Sequence, residues 1–175
     1  DQHLPEEAYP SQMVDGGSQK ITLGFEKGEV ETLNGLSFNH PIELIQELQK
    51  MTATYAVGRD THVGDTIVGI KGRVGFEAAA PLIIIHAHQL LEKHTLTKWQ
   101  LYWKDQLATW YGMMVHEGQF LDPVMRNIET FLKDTQKLVS GQVYIQLHPY
   151  RFELQGISSP HDLMSSEFGD YGEAN

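Results

Sequence analysis

Two strand–turn–strand units bracket this chain, and together they leave few folds open. The first, KITLGFEKGEVETLNG, alternates apolar residues at Ile21, Leu23 and Phe25, turns at Lys27-Gly28, and resumes at Val30 and Leu33. The second, QVYIQLHPYRFELQGI, alternates on both sides of His148-Pro149-Tyr150. A period of two marks a strand with one buried face, and a short turn between two such runs marks a hairpin. Hairpins build antiparallel sheet, whereas successive parallel strands need a long crossover. Helical spacing dominates most of the chain between them. The expected class is α+β, an antiparallel sheet of about five strands packed with about four helices.

The helices are read from their starts and stripes. Pro41, after Asn39-His40, suits a first helical turn, and Leu44, Ile45, Leu48, Met51 and Tyr55 recur at helical spacing. Gly58-Arg59-Asp60 ends that helix, and a turn-rich loop leads to a strand, TIVGIKGRV. A second helix runs from near Pro81 through His86 to about Lys93. A long aromatic helix follows, with one face defined by Leu107, Trp110, Tyr111 and Met114. Asp122 caps the fourth, with Pro123 at its first position and Val124, Met125, Ile128, Phe131 and Leu132 as its stripe. SSPHDLMSS reads as a short capped turn. Residues 1–19, rich in proline, glycine and acidic residues, suit a linker or an arm lying on a neighbour, which leaves 20–175 as the domain.

Composition removes several functions. A length of 175 residues fits one domain. A net charge of -10 argues against a nucleic-acid surface. The absence of cysteine excludes disulfides, thiolate zinc sites and cysteine nucleophiles, and fits a reducing, cytoplasmic setting. The longest apolar run, around Ala78 to Ile85, falls far short of the roughly 20 residues of a membrane helix. With no initial methionine and connector-like ends, the chain reads as a piece of something larger.

The stretch with most chemistry is GIKGRVGFEAAAPLIIIHAHQ, where Gly69, Gly72 and Gly75 interleave with Lys71 and Arg73. Neither GxGxxG nor GxxxxGK[ST] is present, so the glycines mark a bulge, a close backbone approach or an anion contact. Lys71 and Arg73 share a strand face, with Glu77 just beyond. That trio suits either a zwitterionic or phosphorylated ligand or a salt-bridged sheet edge. His86 and His88 lie about 200° apart on a helix, whereas helical zinc ligands stand four apart, so both are read as core or interface residues and no metal site is expected. Trp99, Tyr102, Trp103, Trp110 and Tyr111 suit core or subunit-interface packing. There is no GxSxG nucleophile motif.

Taken in order, these motifs resemble a known family. Val57-Gly58-Arg59, then Gly69, Lys71, Arg73, Gly75 and Glu77, then His86-Ala87-His88 are similar to the VGR turn, the IGxKSRGxYE segment and the YHAH helix of the second domain of argininosuccinate synthase. The likeness extends from Leu4-Pro5-Glu6-Glu7 to the GDYGE tail. It implies a ligase of arginine biosynthesis that joins citrulline and aspartate, using ATP with Mg2+ and releasing AMP and pyrophosphate. It also implies that the ATP loop and the aspartate site lie in a preceding nucleotide-binding domain, and that a C-terminal helix absent here holds a homotetramer. The fragment alone is then expected to be inactive. On the citrulline side the resemblance points to Gly64, Asp65, Lys71, Arg73, Phe76 and Glu77. Two of these depart from the family pattern, since the usual glutamate falls at Gly64 and the usual tyrosine at Phe76. Asp65 offers a carboxylate one position along. The alternative is a catalytically silent oligomerisation or small-ligand binding module of the same architecture.

Overall fold

A computed structural model of the chain describes residues 4–14 and 16–165. The GDYGE tail lies outside the described residues. Both hairpins form as the alternation predicts. The first comprises β1 (Gln19–Glu26) and β2 (Glu29–Leu33), extended by the short β3 (Leu36–Ser37). The second comprises β6 (Gly141–His148) and β7 (Arg151–Ser158). They join edge to edge, β1 antiparallel to β6 with Ile21 opposite Ile145, giving one five-stranded sheet in the order β3-β2-β1-β6-β7.

The inward positions of the joined strands build the core. Ile21, Leu23 and Phe25 of β1 and Val143, Ile145 and Leu147 of β6 are all buried. Against them pack α1 (Pro41–Ala53), through Leu44 and Leu48, and α2 (Ala79–Thr95), through Ile83, Ala87 and Leu91. Each of the larger of these side chains contributes roughly 1.5–3 kcal/mol by leaving water, so this face supplies most of the driving force. At the start of α1, the His40 ring accepts the Ile42 amide at 3.2 Å and Pro41 takes the first turn. The helix ends at Ala53, earlier than its apolar stripe suggested. Tyr55 is buried beyond it, and Ala56 and Gly58 turn the chain at φ 51° and 88°.

Two elements complete the helical part. The helix α3 (Lys98–His116) starts in a capping box between Thr97 and Gln100, and α4 (Pro123–Thr135) starts on Asp122, which accepts the Val124 amide at 2.9 Å. They pack on each other and away from the sheet. Met114 alone of the described α3 residues is buried. The aromatic residues of α3 are therefore not core, and Trp99, Tyr102, Trp103 and Trp110 stand exposed.

The largest difference from the sequence reading falls between α1 and α2. The segment expected as a loop is a strand, β4 (Arg59–Asp65), and it pairs with β5 (Lys71–Glu77) in a separate two-stranded ribbon. The apolar residues Ile67 and Val68, expected in the strand, form the exposed turn. Thr66 and Ile70 close that turn by a backbone bond of 2.9 Å, and Gly69 takes φ 82°. The β-branched run has the propensity for a strand, but the turn leaves it no partner to pair with.

Candidate functional site

The ladder of the ribbon decides which candidate residues share a face. Its register pairs Arg59 with Glu77, Thr61 with Gly75, Val63 with Arg73 and Asp65 with Lys71. Alternation along each strand puts Asp65, Lys71, Arg73 and Glu77 on one face. Gly64 and Phe76 fall on the other, beside His62 and Asp60. The six positions thus divide four and two.

At the tip, Lys71 Nζ is ion-paired with Asp65 Oδ1, and both side chains are largely exposed. An exposed pair of this kind adds little stability, so its charges remain open to a partner. Arg73 is exposed on the same face, between the tip and the base. On the opposite face, a Cβ added at Gly64 would lie 2.7 Å from His62 Nε2. Any side chain there would first have to displace the imidazole.

The base is built differently. The Glu77 side chain is only 2% exposed and accepts from Arg59 Nε at 3.3 Å and from the Ser11 amide at 3.4 Å. Arg59 also donates through Nη1 to Glu6 Oε1 at 2.7 Å and through Nη2 to the Ser11 carbonyl. Its guanidinium lies 4.4 Å from the centre of the Tyr9 ring and 5.6 Å from that of Tyr150. Burial pulls the Arg59 pKa down, but the hydrogen bonds and charges of Glu6 and Glu77 outweigh it and hold the group above its ordinary value. So the segment read as a linker or an arm on a neighbour lies, from Leu4 to Val14, along this domain's own ribbon and α1. Sequence reasoning named Arg59 as a helix stop and as part of the VGR turn, without a partner; its partners are too scattered along the chain for spacing to reveal them.

Beside Arg59 opens a cleft of about 580 Å³, walled by Leu82, His86, Tyr150, Arg151 and Phe152. The His86 ring tilts against Phe152 at 5.6 Å. A second cleft, about 500 Å³, lies across the sheet turn at Lys27-Gly28, near His88, Lys104 and Gln136. Beneath it Glu92, 1% exposed, accepts from Lys104 Nζ and Gln136 Nε2, both at 2.8 Å, while His88 Nε2 meets Gln136 Oε1 at 2.8 Å. These groups satisfy one another and tie α2, α3 and the turn after α4 together. His86 and His88 point to different clefts.

Comparison with known proteins covers nearly the whole chain. The family profile described as the Arginosuccinate synthase C-terminal domain matches residues 5–175. Among curated proteins, the argininosuccinate synthase of Xylella fastidiosa is 34% identical over 92% of this chain and 39% of its own length. That of Dictyoglomus turgidum is 34% identical over 99% of the chain and 44% of its own length. That of Xanthomonas campestris is 33% identical over 97% and 41%. The chain therefore spans about two fifths of the length of the curated relatives it matches.

Proposed function

Because this chain belongs to the argininosuccinate synthase family, as its C-terminal domain, we propose that it is the citrulline-facing and assembly portion of such an enzyme. The parent protein would join citrulline to aspartate, drawing on ATP and releasing AMP and pyrophosphate, in the cytoplasm and as a homotetramer. The observation that carries this reading is the outer ribbon face. Lys71, Arg73 and Asp65 present two cations and a carboxylate in the open, which suits a zwitterionic amino acid. Gly64 and Phe76 shape the reverse side of the same ribbon, and Glu77 enters through Arg59, not through the substrate.

Nucleotide chemistry belongs elsewhere in this reading. The sequence offers no phosphate loop. Among the described residues no group of three or more His, Cys, Asp or Glu side chains is placed to hold a metal ion. On the family resemblance we assign Mg·ATP binding to the remainder of the parent protein. No helix among the described residues is long and apolar enough to cross a membrane. The assembly half of the proposal is supported by the exposed aromatic residues of α3.

Arg73→Ala tests the reading. Removing one charge-assisted contact costs roughly 1.5–3 kcal/mol, about one to two decades in rate where it acts at the transition state. In the full-length protein, citrulline-dependent pyrophosphate release should fall by that factor. The melting temperature of the 175-residue chain should stay within about 2 °C, as for an ordinary surface change. A sharp loss of melting temperature with unchanged turnover and citrulline affinity would make Arg73 scaffold. The chain alone should release no pyrophosphate from ATP and citrulline.

A further inference from the structure

The ribbon has little besides its base to hold it. Its strands pair along the whole ladder from Arg59–Glu77 to Asp65–Lys71, but among the described residues they join no other sheet, and neither packs substantially on a helix. A lone two-stranded ribbon is marginal in water. It is also a lever. Seven residues at about 3.3 Å each reach roughly 20 Å, so a tilt of about 10° at the base moves the tip by more than 3 Å. Catalytic geometry is lost at about 1 Å.

We propose that Arg59 is a positioning residue that sets the attitude of this lever. It stands at the first rung of the ladder and gathers three separate segments on one guanidinium. Glu77 comes from β5, Glu6, Tyr9 and Ser11 from the arm, and Tyr150 from the β6–β7 turn. The arm is held a second time across the ribbon. A Cβ added at Gly75 would fall 2.1 Å from Leu4 Cδ1, so the missing side chain is what lets Leu4 lie there. Movement of the arm is thereby transmitted to the face bearing Asp65, Lys71 and Arg73. Lysine cannot replace arginine here, because an ammonium has neither the fork that serves Glu6, Ser11 and Glu77 at once nor a planar face for Tyr9. The clamp rests on geometry alone; its effect on turnover rests on the reading of the ribbon as the citrulline side.

The experiment is amide hydrogen exchange on the 175-residue chain, wild type against Arg59→Lys and Glu6→Gln, paired with steady-state kinetics of the same variants in the full-length protein. Arg59→Lys should speed exchange at least tenfold in the arm (Ala8, Val14) and along the ribbon, with β1 and β6 unchanged. Glu6→Gln should free the arm and loosen the ribbon by a smaller factor, and it serves if the first variant folds poorly. In the full-length protein Arg59→Lys should lower kcat about tenfold or more and raise the KM for citrulline, leaving the KM for ATP unchanged. Exchange that rises uniformly over β1, β6 and the ribbon, or does not rise in the ribbon at all, overturns the clamp. Faster ribbon exchange with wild-type kinetics leaves the clamp standing and overturns the substrate reading of that face.

Discussion

At Gly58 the backbone leaves room for hydrogen alone. The residue sits at φ 88°, and an added Cβ would lie 2.5 Å from the Ala79 nitrogen and 2.6 Å from its Cα. Those atoms are the first turn of α2 and cannot swing aside as a side chain would. A left-handed conformation costs a residue with a Cβ about 1–2 kcal/mol before any overlap is counted. Gly58→Ala should therefore destabilise by about 2 kcal/mol or more, lowering the melting temperature by roughly 5 °C or more in a domain of this size. Gly75→Ala is the control, since its new Cβ meets only the end of Leu4. It should cost far less, and equal losses at the two positions would refute the argument. The glycine of the VGR turn is thus accounted for by packing of two helices' connections, without reference to any ligand.

Among the elements, α2 and α3 are joined by charge. The Glu92 carboxylate is buried, with Lys104 at 2.8 Å as its cation. Removing one partner from such a pair leaves a buried charge uncompensated, which costs about 3–5 kcal/mol, whereas replacing both with apolar groups is often neutral. Lys104→Met should show that loss in chemical denaturation, and adding Glu92→Met should recover most of it. A double variant as unstable as the single one would count against the pair. A pH-dependent link joins α3 to α4, where Tyr111 donates to Glu129 Oε1 at 2.8 Å. That bond first, then Arg126, holds the Glu129 pKa below its ordinary value; the same bond raises that of Tyr111. The depressed carboxylate stabilises the fold above its unfolded pKa, and that share is lost as pH falls through the folded value. The raised phenol stabilises below its unfolded pKa, and that share is lost as pH climbs through the folded one. Melting temperature against pH should be flatter at both extremes in Tyr111→Phe than in wild type. Identical profiles would remove the link. The two hairpins were legible in sequence because burial of one face writes a period of two into Ile21, Leu23, Phe25 and Val143, Ile145, Leu147. Of the ribbon, only Lys71 to Val74 of β5 was legible, as the end of the expected strand; β4 was not, because none of its residues is buried and it carries no apolar stripe, and the apolar Ile67 and Val68 fall in the turn. Lys71 and Arg73 on one face followed from alternation alone. The engagement of Glu77 by Arg59 needed the register.

For the molecule as a whole, the arrangement of α3 argues for association. All three tryptophans of the chain, Trp99, Trp103 and Trp110, are more than half exposed there, with Tyr102 edge-on to the first two. Under the proposed assembly, exposed apolar area of this kind is where a second subunit would pack. Sedimentation of the chain at high micromolar concentration should show oligomers, with tryptophan emission shifting to the blue as they form; Trp103→Glu should favour monomer. A monomer throughout would sink the idea. The central pairing of β1 with β6 has a further consequence for how the protein is made. Ile21 emerges from the ribosome long before its partner Ile145, and until then β1 offers a bare hydrogen-bonding edge with only β2 beside it. The sheet can close only after β6 has been synthesised, so the first hairpin must wait, exposed, for the second.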